Sequence, residues 1–152
     1  MYTSEHSIII KKPLDIVFKN TTCLKGCVNW FTGMHSTEQL DLEPLQVGTR
    51  YRHVYSILGF KAEVHPTVTL YNPTREFAFE DLQLTLAPYS VRYTFEEVPE
   101  GTQVLVNLQI TPTENVIGRF ATPLVMNRLQ SQIDHNLSTL KAMLEAGVTV
   151  HA

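Results

Sequence analysis

Polar and apolar residues alternate along much of the chain, most clearly in the stretch GTRYRHVYSILGF. Successive side chains of a β-strand point to opposite faces, so Tyr51, His53 and Tyr55 share one face of this predicted strand. Arg50 and Arg52 lie on the other face and mark it as the solvent side. The inner face therefore carries two phenols and an imidazole, where a closely packed core would take Val, Leu or Ile.

The residues before this strand predict one strand and two short helices. Weak alternation predicts a first strand over residues 3–11, and KKPLDIVFKNTT is typical of a helix with Pro13 at its first position. A second short helix is expected over residues 22–29. Alternation returns over residues 34–43 and predicts the next strand.

Further strands follow the quoted one. FKAEVHPTVTLY is expected to form one strand with a bulge or an edge position at Pro66, because proline cannot donate to the ladder. REFAFEDLQL places Phe77 and Phe79 on one face, and YSVRYTFEEV directs Tyr93 and Phe95 inward. TQVLVNLQIT then closes the sheet with apolar residues at alternate positions.

The C-terminal segment has the clearest helical pattern, and Gly147 is expected to end the helix. Gln130 lies at the margin of its apolar stripe. Consecutive strands at hairpin spacing predict an antiparallel sheet, strongly curved if it wraps this helix. One helix cannot fill such a concavity, so we expect a cavity beneath it. The stripe consists of Met126, Leu129, Ile133, Leu137, Leu140 and Leu144.

Composition narrows the class of protein. The 152 residues fit a single domain, and the charged share of 18% is that of an ordinary soluble protein. A formal charge of −3 without a basic block argues against a nucleic-acid partner. No apolar run approaches the ~18 residues of a membrane helix, so no integral membrane insertion is expected. The N-terminus lacks the features of a signal peptide, which predicts a cytoplasmic location.

Motifs of known chemistry are absent from the sequence. Cys23 and Cys27 are interpreted as reduced thiols, and the histidines lack metal-ligand spacing, so neither a metal nor a cofactor is predicted. The chain has no GxSxG, HExxH, P-loop or GxGxxG motif. His6, His35 and His151 are expected to be solvated.

Several phrases together resemble one family. SIIIKKPLDIVFKN, CVNWF, VGTRYRH, YNPTREFAFE, YTFEEVPEGTQV and NLSTLKAMLE are similar to the START-like (SRPBCC) superfamily, and most to its polyketide cyclase/dehydrase and lipid-transport group. The resemblance covers nearly the whole chain, with Trp30 where the family tends to have an aromatic residue. It implies an α+β helix-grip fold for residues 1–152, in which a curved antiparallel sheet wraps the C-terminal helix and two short helices follow the first strand.

The resemblance also implies a cavity for small, largely apolar ligands, but no catalytic residue. His53 is open to three interpretations: a core histidine bonded to a neighbour, a ligand contact, or a general acid or base. The pattern and the resemblance together predict a set of residues that line the cavity. It comprises Trp30, Tyr51, His53, Tyr55, Phe79, Tyr93, Phe95, Met126 and Gln130.

The favoured function is binding of a small hydrophobic or aromatic molecule, lipid- or polyketide-like, by a monomer or homodimer. An alternative is an enzyme of the polyketide cyclase/dehydrase type, in which His53 and a tyrosine transfer protons. A second alternative is a protein-interaction module of the chaperone co-activator type, which would show an exposed apolar patch in place of a deep pocket.

Overall fold

The computed structural model describes residues 2–41, 44–57, 60–82, 88–111 and 123–149, and at 55, 57, 60 and 123–126 it describes the backbone only. Within these residues the chain forms eight strands, two α-helices and one 3-10 helix. In chain order they are β1 (Tyr2–Ile10), α1 (Leu14–Thr22), the 3-10 helix (Leu24–Asn29), β2 (Met34–Gln39), β3 (Tyr51–Ile57), β4 (Phe60–Val64), β5 (Thr67–Asn72), β6 (Glu76–Asp81), β7 (Tyr89–Val98), β8 (Gly101–Ile110) and α2 (Pro123–Glu145).

The strands form two antiparallel sheets joined at one point. Five of them lie in the order β1-β8-β7-β6-β5, and the other three lie in the order β2-β3-β4. An isolated bridge between Arg50 and Thr67 connects the two sheets. The first strand thus forms one edge of the larger sheet and pairs with β8 over its whole length from Tyr2 to Ile10. The predicted α+β fold, a curved antiparallel sheet with a long C-terminal helix, is confirmed.

The prediction of one strand through Pro66 is wrong. The chain leaves β4 after Val64 and enters β5 at Thr67, so the segments on either side of Pro66 belong to different sheets. Proline has no N–H to donate to a sheet ladder. The N–H of the preceding residue, His65, donates to a side-chain oxygen of Asp81 at 2.8 Å. Seven strands therefore follow the short helices within the described residues, where the sequence predicted six.

α2 packs its apolar stripe on the larger sheet. Leu137, Leu140 and Leu144 are each at most 2% exposed, in agreement with the predicted stripe. Gly147 ends the helix with a φ of 83°, which is the left-handed conformation that glycine adopts without strain. The N–H of Val148 then binds a carbonyl five residues back, which completes a Schellman motif.

The C-terminal half of α2 also binds the outer edge of β1. The Lys141 ammonium donates to the carbonyl of Ile9, and a Glu145 carboxylate oxygen accepts from the N–H of Lys11 at 2.9 Å. This backbone hydrogen bond, together with Lys141, lowers the pKa of the Glu145 carboxyl below its ordinary value. The helix thereby occupies backbone groups of an edge strand. Within the described ranges, a helix with the length and hydropathy of a membrane span is not found.

Candidate functional site

The inward faces of the strands form a continuous surface that faces α2. Residues that pair directly across an antiparallel ladder lie on the same face of the sheet. Two neighbouring rows of such residues cross four strands of the larger sheet. They are His6, Val106, Tyr93 and Phe77, and beside them Ser4, Leu108, Val91 and Phe79.

Aromatic rings dominate the centre of this surface. The ring of Tyr93 stacks with that of Phe79 at a centroid distance of 6.3 Å and with that of Phe95 at 6.4 Å. Trp30 and Tyr51 belong to the same buried cluster, and all five side chains are at most 8% exposed. The fold therefore brings five of the nine predicted lining residues together.

His53 lies beside this cluster, on the inner face of β3, as the alternation predicted. It is 4% exposed, and its ring centroid is 5.8 Å from that of Tyr51. Burial lowers the pKa of His53 from 6.5 to about 4, so the imidazole is neutral at pH 7. The Tyr51 hydroxyl donates to the side-chain carbonyl of Gln39 at 3.2 Å.

The remaining predicted residues are less well defined. Gln130 is partly buried on α2. The side chains of Tyr55 and Met126 lie outside the described part of the structure. Their assignment to the lining stays a prediction, as does the ligand-binding role of the whole set.

Asn136 is a buried polar residue that the predicted set does not contain. It is 1% exposed, and its Oδ1 accepts from the N–H of Thr32 at 2.9 Å, while Gln132 of the same helix donates to the Thr32 carbonyl at 2.7 Å. α2 thus holds the loop that follows the 3-10 helix. The sequence feature that could have indicated Asn136 was its position, as an amide near the margin of the apolar stripe.

Several buried polar atoms have no hydrogen-bond partner within the described residues. Three are nitrogens, namely Nε1 of Trp30, Nε2 of His53 and Nδ2 of Asn136, and the fourth is the hydroxyl of Thr21. Buried polar groups are paired in most proteins, because an unpaired one costs about 1–3 kcal/mol. Trp30 and Asn136 offer donors only at these atoms, so an oxygen acceptor would satisfy them.

Burial along the inner face is uneven. At one end of the sheet Ile10, Thr102 and Val104 are 0% exposed. At the other end, near the start of β1 and the first turns of α2, inward-facing apolar side chains are only partly buried. These are Tyr89, Val91, Leu108, Ile110, Leu129 and Ile133. Among the described residues, the inner face is thus more accessible at this end.

Three titratable side chains in or beside the aromatic cluster are uncharged at pH 7. Burial raises the pKa of the Cys27 thiol to about 12 and raises that of the Tyr93 hydroxyl well above its ordinary value. Both groups are therefore neutral at pH 7, like His53. Among the described residues, no three His, Cys, Asp or Glu side chains are placed to hold a metal ion.

His6 is buried, and the expectation that it is solvated is wrong. It is 8% exposed on the inner face of β1, and its Nδ1 lies 2.7 Å from a carboxylate oxygen of Asp134. The partner is 128 residues away in the sequence, so spacing alone could not reveal it.

A surface cleft of about 620 Å³ lies away from this face, between the start of α1 and the β7–β8 turn. Charges of both signs line it, from Lys11, Lys12, Asp15, Glu97 and Glu100. Ligand sites are usually lined mainly by apolar side chains with few polar groups. We therefore place the candidate site on the inner face of the sheet, where the aromatic rings cluster.

A family of known proteins matches most of the chain. Residues 1–145 match the family described as polyketide cyclase/dehydrase and lipid transport. No protein of curated function matches the chain in sequence.

Solved structures share the fold at low identity. TTHA0849 from Thermus thermophilus superposes with a TM-score of 0.81 at 20% identity, over 96% of this chain and 99% of that one. The di-domain ARO/CYC BexL from the BE-7585A biosynthetic pathway gives a TM-score of 0.75 at 14% identity, over 93% of this chain and 49% of BexL. Ara h 8.0201 gives a TM-score of 0.71 at 12% identity, over 95% of this chain and 98% of that one.

Proposed function

The chain belongs to the polyketide cyclase/dehydrase and lipid transport family, and on that premise we propose that it binds a small, largely apolar, lipid- or polyketide-like molecule between the sheet and α2. The observation that carries the proposal is that Nε1 of Trp30, Nε2 of His53 and Nδ2 of Asn136 are buried without a hydrogen-bond partner among the described residues. Trp30 belongs to the buried aromatic cluster, and the His53 ring lies beside that of Tyr51. In a ligand site of this kind, apolar side chains supply affinity and a few polar atoms orient the ligand.

The chemistry of these nitrogens suggests the kind of ligand. The indole and amide nitrogens donate, and the neutral imidazole nitrogen donates or accepts according to its tautomer. A ligand with carbonyl or phenolic oxygens on an aromatic or aliphatic frame suits this combination. Each neutral hydrogen bond would contribute about 0.5–1.5 kcal/mol to binding, which is up to about tenfold in affinity.

Trp30 provides the assay, because it is the only tryptophan of the chain and lies in the proposed lining. We expect titration with emodin, a hydroxylated aromatic polyketide, or with palmitic acid to change its fluorescence in a saturable way at one molecule per chain. His53→Leu should weaken binding of an oxygen-rich ligand by about five- to tenfold. His135→Leu, on an exposed part of α2, is the matched control and should bind as the wild type does.

Native mass spectrometry of the freshly purified protein provides an independent measurement. A retained apolar molecule would support the proposal and identify its class. Absence of saturable binding by both probes, together with a mass spectrum that contains only the bare chain, would contradict it.

A second candidate function is a cyclase/dehydrase-type reaction in the same site. The observation in its favour is that His53 is neutral at pH 7 and that its Nε2 has no hydrogen-bond partner among the described residues, so it could accept a proton from a bound substrate. The low pKa limits it to the role of a weak base. Incubation with a reduced linear polyketide and mass analysis of the products tests this candidate, since loss of water or ring closure that disappears in His53→Leu would support it.

A further inference from the structure

Three side chains near the accessible end of the inner face form a connected series of hydrogen bonds. Asp134 Oδ1 lies 2.7 Å from Nδ1 of His6, and the other ring nitrogen of His6, Nε2, lies 3.1 Å from the hydroxyl oxygen of Ser4. The carboxylate and the hydroxyl thus form hydrogen bonds with the two different nitrogens of one imidazole ring. Ser4 and His6 are two residues apart on β1, whereas Asp134 comes from α2.

The order of these contacts fixes the direction of the hydrogen bonds. A carboxylate only accepts, so the Nδ1 proton of His6 points to Asp134. Nε2 of the neutral ring then carries the lone pair and accepts from the Ser4 hydroxyl. A serine activated by a histidine that a carboxylate orients is the arrangement of hydrolytic triads on several unrelated folds.

Ser4, His6 and Asp134 differ in how far their side chains are exposed. The His6 side chain is 6% exposed and the Asp134 side chain is 65% exposed. Ser4 is partly buried and pairs across the ladder with Leu108, which is also partly buried. The nucleophile is thus reachable from outside, whereas the base is shielded by its neighbours.

The surroundings of Ser4 favour an apolar acyl group. Leu108 pairs with Ser4 across the ladder, and Val91 pairs with Leu108 one strand further on. β1 and α2 run in the same direction, since His6 meets Asp134 and Lys11 meets Glu145. Two strand residues span about the length of four helical residues. Ser4 on β1 therefore lies level with the part of α2 about one helical turn before Asp134.

We propose that Ser4 is a nucleophile activated by His6 and positioned by Asp134, and that the protein hydrolyses esters of small, largely apolar acyl groups. The Ser4 oxygen attacks the carbonyl carbon while Nε2 of His6 takes the hydroxyl proton. The bond to the alcohol breaks as Nε2 returns that proton to the leaving oxygen. Water then cleaves the acyl-serine by the same proton transfers, so that ester and water give acid and alcohol.

This activity goes beyond ligand binding under α2 and does not depend on it. An alkyl fluorophosphonate tests the nucleophile directly, because the Ser4 oxygen would form a bond to phosphorus as fluoride leaves. We expect one adduct per chain, mapped by peptide mass spectrometry to Ser4. Ser4→Ala should abolish labelling, while Ser7→Ala, which alters an exposed serine on the opposite face of β1, should label at the wild-type rate.

Variants of the other two residues test the proton transfer. His6→Gln should lower the rate constant of labelling by about 100-fold or more. Asp134→Asn should lower it at least about tenfold, because an amide can favour the wrong imidazole tautomer, and Asp134→Glu should recover much of the loss. Thermal unfolding of each variant separates this effect from loss of the fold, and p-nitrophenyl butyrate hydrolysis should follow the same ranking.

Two results would overturn the proposal. One is a folded wild-type protein without an adduct on Ser4. The other is labelling of Ser4 that proceeds at the wild-type rate in folded His6→Gln. If His6→Gln does not fold, an unchanged labelling rate in Asp134→Asn is equally decisive against it.

Discussion

Replacement of His53 by leucine should make the stability of the protein less dependent on pH between 6.5 and about 4. In the folded protein His53 is 4% exposed, and its Nε2 has no hydrogen-bond partner among the described residues. Leucine has a similar size and no polar atom. At pH 7.5 the variant should therefore be as stable as the wild type or slightly more stable.

The pH dependence follows from the pKa of the imidazole in the two states. Burial lowers the pKa of His53 to about 4 in the folded protein, from 6.5 in the unfolded chain. Above pH 6.5 the imidazole is neutral in both states, and the wild type has its full stability. As the pH falls towards 4, His53 binds a proton in the unfolded chain but stays largely neutral in the folded protein, and this difference favours unfolding. The free energy of unfolding should drop by about 2 kcal/mol at pH 5 and by about 3 kcal/mol near pH 4.

Urea unfolding at several pH values, followed by Trp30 fluorescence, measures this difference. We expect the gap between His53→Leu and the wild type to widen by about 2 kcal/mol between pH 7.5 and pH 5. Other groups titrate in both proteins, so the comparison between them isolates His53. His135→Leu makes the same change at an exposed position and shows how much of the effect belongs to the substitution itself.

Two outcomes would refute the reasoning. A gap that stays constant with pH would mean that the imidazole is not desolvated in the folded protein. A loss of several kcal/mol in His53→Leu at pH 7.5 would mean that His53 is a bonded core residue whose removal leaves its partner unpaired. The second outcome would also remove His53 from the proposed lining.

Two further predictions concern glycine and cysteine positions. Gly101→Ala should cost several kcal/mol in urea unfolding, because the added Cβ would lie 2.3 Å from the Ile10 carbonyl oxygen at a φ of 142°. Gly48→Ala, with a φ of 94° but nothing within 4 Å, should cost only about 1–2 kcal/mol, and equal losses would contradict the steric argument. Iodoacetamide at pH 8 should alkylate Cys23, which is partly exposed, and spare Cys27, because burial raises the pKa of the Cys27 thiol to about 12. Peptide mapping measures both sites, and alkylation of Cys27 in the folded protein would contradict the prediction.

Local pattern was sufficient to predict most elements of the fold. Alternation placed Tyr51, His53 and Tyr93 on the inner face, and all three are buried. The apolar stripe and Gly147 predicted where α2 packs and where it ends. These features depend on the period of a strand or helix, which the sequence displays directly.

Features that depend on distant contacts could not be predicted in this way. The sequence indicates an interruption at Pro66, but it does not show that the chain changes sheet there, nor that Asp81 on β6 accepts a hydrogen bond from the N–H of His65. The pairing of His6 with Asp134, 128 residues further along the chain, is likewise not visible in the sequence. Neither partner has a spacing that identifies it, because the pairings exist only once the sheet and α2 have come together.

The hold of α2 on the edge of β1 has a consequence for the behaviour of the protein at high concentration. An edge strand with free backbone groups can pair with a strand of another molecule and begin an intermolecular sheet. Lys141 and Glu145 already occupy the Ile9 carbonyl and the Lys11 N–H, so that stretch of edge offers a neighbour fewer free backbone groups. Removal of the last turns of α2 would uncover them, and the shortened chain should aggregate more readily as well as lose core contacts.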